Sequence, residues 1–227
     1  MSDPVRPRRF AVITTYNRPD VLLRSLAAAC AEADTVFVID NGDDPERMAP
    51  VSTDGQWFVA QVPMRPPNLS KLWNIGIHLA AAQAEELHTP MWDVAVLNDD
   101  AIIPPGWFGH VAGLMRAWGC AAASSGMPAG GPHHIHRTPG TTALHHRMQG
   151  FAFVLKGEAH LRADERLSWW CGDNDLDMQG RQAGGTVIVA GYPVEHLYPD
   201  QSTTGELAAQ TGIDMATFVE KWGFRPW

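Results

Sequence analysis

The chain has 227 residues, of which 45% are hydrophobic and 19% are charged. This length favours one globular domain over two, and this composition argues against extended disorder. The formal net charge of -8 argues against nucleic acid as a partner, because neutralising nucleic-acid phosphates requires clustered lysine and arginine.

The cysteines and the apolar segments indicate the cellular setting. Cys30, Cys120 and Cys171 are widely spaced, which indicates neither a disulfide framework nor a thiolate zinc site. No apolar run reaches the length of about 18 residues that a membrane-spanning helix needs. We therefore predict a cytoplasmic protein without a membrane span, and we leave its oligomeric state open.

Short apolar runs alternate with helical patterns along the chain, which predicts crossover units around a mostly parallel sheet. The predicted strands cover residues 10–15, 35–39, 56–62, 92–97, 149–155 and 186–190. The predicted helices cover residues 19–33, 70–87, 104–118, 173–181 and 206–222, the last as one helix or two short ones. The sequence thus predicts an α/β fold, with a single Rossmann-like domain over residues 1–227 and helices flanking the central sheet.

Three segments lie outside this regular pattern. Residues 124–148 are rich in glycine, proline and histidine without a period, which predicts a long loop and a possible lid. Its histidines are zinc ligands in principle, but the missing period and the absence of nearby thiols favour a polar loop. Residues 1–8 are predicted to be flexible, and residues 197–227 to form a C-terminal extension.

Polar side chains follow three of the predicted strands. They are Thr14 to Asn17, Asp40 with Asn41, and Asn98 to Asp100. A turn after a strand explains any one cluster, since asparagine and aspartate are common turn residues. Because strands of an open α/β sheet deliver their carboxyl ends to one crevice, the three clusters together predict a ligand site.

The segment Asn98-Asp99-Asp100 is a candidate metal site. Carboxylates at a strand end are hard oxygen ligands that suit Mg²⁺ or Mn²⁺, and these ions keep positions open for phosphate oxygens. Burying two adjacent carboxylates is costly without a cation. The segment therefore indicates an ion that neutralises a departing nucleoside diphosphate.

A second acidic segment runs from Gly172 to Asp177. Aspartates at a helix start stabilise its positive end, which explains one or two of them. A carboxylate beside a ligand pocket can also take the proton of an attacking hydroxyl. The spacing lacks the distal glutamate of a calcium-binding EF-hand, so we reject that interpretation.

These motifs resemble those of the GT-A fold glycosyltransferases, most closely the family 2 type, over residues 9–223. The resemblance implies transfer from a UDP-, GDP- or dTDP-linked sugar to the hydroxyl of a glycan, a protein or another acceptor. The metal would be Mn²⁺ or Mg²⁺, held by Asp100 and His196. The donor and nucleotide residues that the resemblance implies are Thr14, Thr15, Tyr16, Asn17, Arg18, Asp40, Asn41, Lys71, Asn74, Asn98 and Asp99.

The resemblance also implies an inverting displacement, in which a carboxylate deprotonates the acceptor and the nucleoside diphosphate leaves. The spacing of Asn174, Asp175, Asp177 and Arg181 is similar to a family motif, with Asn174 in place of a glutamate. Asp175 is then the expected base and Asp173 the reserve. Trp169 and Trp170, just before this motif, are the expected acceptor-binding residues.

Three other interpretations are compatible with parts of the pattern. A sugar-phosphate nucleotidyltransferase shares the sheet and the metal-binding aspartate, but its first loop is usually glycine-rich and carries lysine. A non-catalytic sugar-nucleotide-binding module would explain why Asn98 and Asn174 replace acidic residues. A retaining glycosyltransferase of the same fold differs only in the configuration of its product.

Overall fold

The computed structural model describes residues 6–44, 46, 49, 52, 55–126, 131–198 and 206–227. Its helices are α1 (Pro19–Cys30), α2 (Leu69–Glu86), α3 (Trp107–Ala117), α4 (Gly172–Gln182) and α5 (Glu206–Trp222). Its strands are β1 (Arg8–Thr15), β2 (Thr35–Asp40), β3 (Trp57–Gln61), β4 (Trp92–Asn98), β5 (Ala101–Ile102), β6 (Ala122–Ser125), β7 (His134–His136), β8 (Ala152–Lys156), β9 (Thr186–Val189) and β10 (Glu195–His196).

Eight strands form one sheet in the order β3-β2-β1-β4-β8-β6-β9-β7. The pairs β1 with β2, β1 with β4, β2 with β3, and β6 with β9 are parallel. Strand β8 runs antiparallel to β4 and β6, and β7 runs antiparallel to β9. The mostly parallel sheet of a single α/β domain is therefore confirmed.

Helices cover both faces of this sheet. Leu22 of α1 and Trp107 of α3 belong to the core on one face, whereas Leu72 of α2 and Leu176 of α4 belong to the core on the other. Strands β2 and β4 lie between these cores and are buried along nearly their whole length. This explains why their sequences are continuous apolar runs instead of alternating ones.

The predicted loop over residues 124–148 contains more regular structure than its sequence indicated. Its start belongs to β6, and His134–His136 form β7, whose Ile135 pairs with Val187 of β9. A short edge strand is held by backbone hydrogen bonds, so it needs no apolar period. The prediction of one continuous loop was wrong, and residues 127–130 of the expected lid lie outside the described residues.

The chain ends also differ from the prediction where they are described. Arg8 begins β1 and Arg6 pairs with Asp34, so residues 6–8 are not the flexible segment we expected. The remaining residues of that segment, 1–5, lie outside the described part of the chain, as do residues 199–205. The C-terminal segment forms one helix, α5. Among the described helices, none is both long and apolar enough to cross a membrane.

Helix α5 fixes the segment that precedes α4 through one buried carboxylate. Asp214 accepts backbone hydrogen bonds from Ser168 at 3.2 Å, Trp169 at 2.8 Å and Trp170 at 2.7 Å. The side chain of Gln210, one turn earlier, donates a fourth at 2.8 Å. Three consecutive N–H groups of an irregular segment thus obtain a partner that the segment itself does not supply.

Helix α2 packs against β1 through a glycine. A Cβ atom at Gly76 would lie 2.2 Å from Val12 Cγ1, so no larger residue fits at this contact. The close approach places the start of α2 beside the carboxyl ends of β1 and β2.

We predict that Gly76→Ala destabilises the protein by about 1–3 kcal/mol, the usual cost of overpacking a core. Urea unfolding followed by tryptophan fluorescence measures this change. Gly113→Ala is the matched control, since Gly113 is exposed in α3 and its Cβ would meet no atom within 4 Å. The control should be neutral or more stable by about 0.4–1 kcal/mol, and an equal loss in both variants would contradict the packing argument.

We also predict that Asp214→Ala lowers the free energy of unfolding by several kcal/mol, because each buried N–H left without an acceptor costs about 1–3 kcal/mol. The same urea titration provides the measurement. Asp20→Ala serves as control, because Asp20 is exposed in the first turn of α1 and its removal should cost no more than about 1 kcal/mol. A loss at Asp214 as small as that of the control would show that the three N–H groups do not depend on this carboxylate.

Candidate active site

A cleft of about 690 Å³ opens at the carboxyl ends of β1 and β4. One wall comes from the loop after β1 and the other from the segment that leads into α4. The sequence-predicted site residues that line the cleft are Thr14, Thr15, Tyr16, Asn17, Arg18, Asn41, Asn98, Asp99, Asp100, Trp169, Trp170, Asp173 and His196. Residues from distant parts of the sequence therefore meet at the site that the strand-end clusters predicted.

Asp99 ties the loop after β1 to the end of β4. Its carboxylate accepts a hydrogen bond from Thr15 Oγ1 at 2.8 Å and one from Arg18 Nε at 3.2 Å. Burial raises the pKa of Asp99 to about 6, against the charge of Arg18 and the hydrogen bond from Thr15. Asp99 is therefore mainly engaged in shaping the cleft.

Asp100 and His196 come together at the floor of the cleft. The short antiparallel pair β5 and β10 aligns His196 with Ala101, and the backbone N–H of Leu197 donates to the Asp100 carbonyl at 3.0 Å. Phe151 stacks on the His196 ring with the centroids 4.4 Å apart. These contacts place His196 Nε2 3.3 Å from Asp100 Oδ1.

The Oδ1 atom of Asp100 is buried and accepts no hydrogen bond. Two electron-pair donors facing each other at 3.3 Å are stable with a proton or a metal ion between them. Adjacent ligand atoms of an octahedral Mg²⁺ or Mn²⁺ site are about 3 Å apart, close to this separation. Among the described residues, no group of three or more histidine, cysteine or acidic side chains is arranged to hold a metal ion.

The loop after β1 also contacts the segment after β2. The Arg65 guanidinium lies 4.9 Å from the centroid of the Tyr16 ring, and its Nη2 is 2.5 Å from Asp43 Oδ2. Asn17 Nδ2 donates to the same Asp43 carboxylate at 3.1 Å. Asn41 lines the cleft beside these groups. The arrangement forms a polar pocket at the end of β1 and β2.

Asp40 does not line the cleft, although it was predicted to contact the nucleotide. It is fully buried, and its two oxygens accept hydrogen bonds from Gly42 N at 2.8 Å, Ala49 N at 2.7 Å and Gln61 Nε2 at 3.0 Å. These bonds hold the turn after β2. Of the predicted pair, the structure brings only Asn41 into the cleft.

Two predicted donor residues on α2 also lie outside the cleft lining. Lys71 is exposed, and its backbone N–H donates to the capping side chain of Asn68. Asn74 pairs with the backbone of Ala163, donating to its carbonyl at 2.8 Å and accepting from its N–H at 2.9 Å. Asn74 therefore fixes the segment before α4 and does not face a ligand.

Asp173 lines the cleft in the first turn of α4. Its Oδ2 lies against Gly150, where a Cβ would come within 2.8 Å, and its Oδ1 accepts from Asn174 Nδ2 at 2.8 Å. Burial raises the pKa of Asp173, and the positive charge of Arg147 opposes this shift. A carboxyl with a raised pKa at a cleft wall is suited to accept a proton.

Asp175 points away from the cleft, contrary to its predicted place there. It is fully buried, and one oxygen lies 2.7 Å from Lys221 Nζ and 2.9 Å from Trp222 Nε1. The other oxygen accepts from the backbone N–H of Asp164 at 3.0 Å and from Gln179 Nε2 at 2.7 Å. Asp175 thus joins α4 to the end of α5.

The segment 147–151 is one part of the site that sequence reasoning missed, as it missed the start of α2 at Leu69, Ser70 and Trp73. Arg147, Gln149, Gly150 and Phe151 all line the cleft, but Arg147 ends the stretch without a period, and the other three were predicted only as the start of a strand. The one signal was Gly150, because a glycine within a predicted strand often marks a close approach of another group. That group is the carboxylate of Asp173.

Comparison with known proteins supports the architecture of this cleft. The model of glycosyl transferase family 2 matches residues 10–159, which is more than half of the chain. No curated protein sequence matches this chain significantly.

Solved structures show the same fold at low sequence identity. Staphylococcus aureus TarS 1–349 in complex with UDP gives a TM-score of 0.59 at 12% identity, over 96% of this chain and 72% of that one. Its complex with UDP-GlcNAc gives 0.54 at 12% identity, over 96% and 73%. The mannosyltransferase PcManGT from Pyrobaculum calidifontis, in complex with GDP-Man and Mn²⁺, gives 0.57 at 14% identity, over 87% of this chain and 59% of that one.

The matched residues include the β1 loop, the turn after β2 and the acidic end of β4, which together form one wall and the floor of the cleft. The chain therefore belongs to glycosyl transferase family 2 and is a glycosyltransferase with the GT-A fold.

Proposed function

We propose that this protein transfers a sugar from a nucleoside-diphosphate sugar to an acceptor hydroxyl in a metal-dependent, inverting reaction. The observation that carries the proposal is the buried Asp100 Oδ1, which lacks a hydrogen bond and lies 3.3 Å from His196 Nε2 at the cleft floor. Family membership supports sugar transfer, and similar folds hold UDP, UDP-GlcNAc or GDP-Man.

Asp100 and His196 are the residues that would hold the metal. One oxygen and one nitrogen from the protein leave most positions of a six-coordinate ion for phosphate oxygens and water, as suits Mg²⁺ or Mn²⁺. When bound, the ion would neutralise the charge that develops on the departing diphosphate. Asp99 is held by Thr15 and Arg18 and keeps the neighbouring backbone in place.

The donor would lie along the β1 side of the cleft. Tyr16 is half exposed beside Arg65 and offers an aromatic face to a nucleobase. Asn41 lies at the end of β2 in the same pocket. Tyr16 and Asn41 would thus contact the nucleotide, and the proposal does not require contacts from Asp40, Lys71 or Asn74.

Asp173 is the proposed base, in place of Asp175. Apart from the acidic segment at the end of β4, it is the carboxylate that the described residues bring to the cleft lining. It would take the acceptor proton while the acceptor oxygen attacks the anomeric carbon from the face opposite the leaving diphosphate. A single carboxylate at this wall fits a direct displacement with inversion.

We predict that Asp100→Ala abolishes Mn²⁺-dependent release of nucleoside diphosphate from the donor, with His196→Ala showing a large loss. The measurement is free nucleoside diphosphate from a panel of nucleotide sugars, with thermal shift to detect donor binding with and without Mn²⁺. Glu195→Ala is the control, because Glu195 is exposed beside His196 and does not line the cleft.

Release of pyrophosphate from a nucleoside triphosphate and a sugar phosphate would instead favour a nucleotidyltransferase. Donor turnover that is equal with and without metal in the wild type would contradict the metal site.

We predict that Asp173→Asn lowers kcat by about 10²–10⁴-fold, the usual contribution of a general base. Asp175→Asn should lower stability, because an NH2 group replaces one of two fully buried oxygens that hold Lys221, Trp222, Asp164 and Gln179, while its effect on kcat is smaller. Initial rates and urea unfolding of both variants decide between the two aspartates. A larger kcat loss in Asp175→Asn than in Asp173→Asn, with both folded, would restore Asp175 as base.

As the pH is lowered, the activity should begin to fall at a higher pH than it would with an aspartate of ordinary pKa, because burial raises the pKa of Asp173. The base works as a carboxylate, so kcat/KM rises with pH through this pKa and then levels. Arg147→Met should move the acidic limb to higher pH, since the Arg147 charge lowers the pKa of Asp173. A pH profile of kcat/KM for both proteins tests this sign, and a shift to lower pH would contradict it.

A further inference from the structure

Arg147 lines the cleft on the side of Asp173. Its guanidinium lies over the indole of Trp227, with Cζ 4.0 Å from the ring centroid. Its hydrogen bond from Nη1 to Asn174 Oδ1 is 3.5 Å long and therefore weak. Because a guanidinium carries five N–H donors, this contact leaves Arg147 with hydrogen-bonding capacity for a ligand.

The positive charge of Arg147 is not used in an ion pair with any residue that the structure describes. Arg18, the other arginine of the cleft, already pairs with Asp99 and lies 3.7 Å from Asp100. Arg147 differs because its charge lowers the pKa of Asp173, the proposed base, without a direct salt bridge between the two side chains. A partly buried arginine without a paired carboxylate is a candidate for binding an anionic ligand.

The position of Arg147 assigns this ligand to the acceptor side. Trp227 beneath the guanidinium also contacts Trp170 edge to face, with the ring centroids 6.4 Å apart. Arg147 and Trp170 line the cleft together with Asp173, the proposed base, and Trp227 contacts both Arg147 and Trp170. The proposed donor seat uses other residues of the cleft lining, in the loop after β1 and at Asp100.

An anionic group brought beside the Asp173 carboxylate would be repelled unless a cation lies next to both. The planar guanidinium of Arg147 matches phosphate and carboxylate geometry and can bind either through two parallel hydrogen bonds. We propose that Arg147 binds a phosphate or carboxylate group of the acceptor, close to the hydroxyl that attacks the sugar. This inference rests on the proposed function, and it narrows the acceptor to anionic hydroxyl compounds.

The test compares matched neutral and anionic ligands on the protein saturated with nucleoside diphosphate and Mg²⁺. Isothermal titration measures glucose, glucose 6-phosphate and glucuronate, and then glycerol and glycerol 3-phosphate. The wild type should bind at least one anionic member about tenfold or more tightly than its neutral partner, as a charge-assisted hydrogen bond allows. Arg147→Met should reduce this ratio to near one, and Arg147→Lys should recover part of it.

The ratio of anionic to neutral affinity distinguishes anion binding by Arg147 from a role in which Arg147 only keeps Asp173 ionised. In the second case, Arg147→Met would change the affinities for both ligands of a pair by the same factor. Arg6→Met is the control for net charge, since Arg6 pairs with Asp34 far from the cleft. It should keep the wild-type ratio. The proposal is overturned if the wild type binds anionic and neutral ligands with equal affinity, or binds neither. It is also overturned if Arg147→Met keeps the wild-type preference for the anionic ligand.

A second arm locates the anion. Thermal shift compares nucleotide-linked glucose with nucleotide-linked glucuronate in the presence of Mn²⁺. A preference for the glucuronate donor that disappears in Arg147→Met would place the anion on the donor sugar and overturn its assignment to the acceptor. If the wild type binds no nucleotide sugar at all, the proposed function fails. If it binds one but does not discriminate between the matched acceptors, this inference alone fails.

Discussion

The site depends on how two adjacent buried carboxylates at the end of β4 are neutralised. Asp99 is compensated within the chain by Arg18 and by the hydroxyl of Thr15. Asp100 receives no comparable hydrogen bond on its buried Oδ1 and faces His196 instead. One carboxylate is therefore compensated within the chain, whereas the other has a buried oxygen without a hydrogen bond, so adjacent residues of one type have different surroundings.

The parallel order of the strands explains why much of the site was predictable. Residues after β1, β2 and β4 meet because these strands are neighbours and end at one edge. Residue type alone did not show which polar groups face the ligand there. Asp40 and Asn74 look like ligand-binding residues in the sequence, yet turn and loop backbones use their hydrogen-bonding atoms.

The choice between Asp173 and Asp175 shows a limit of motif spacing. Residues two apart on an α-helix project about 200° from each other, so the two carboxylates face opposite sides of α4. Only packing decides which side of α4 faces the cleft. Asp175 lies on the side that packs against α5, where it contacts Lys221 and Trp222. Arg147 and Asp214 escaped prediction because their partners are far away in sequence, and neither lies in a motif with a recognisable period.

The contacts of Asp214 also mean that the two walls of the cleft depend on parts of the chain that are synthesised at different times. The loop after β1 is tied to Asp99 by contacts among the first hundred residues, whereas the floor at β4 also needs Phe151 and His196. The backbone of Trp169 and Trp170 obtains its acceptor only when α5 docks, more than forty residues later. On a growing polypeptide, the contacts of the loop after β1 with Asp99 can form early, whereas the segment before α4 is fixed only after α5 has been made.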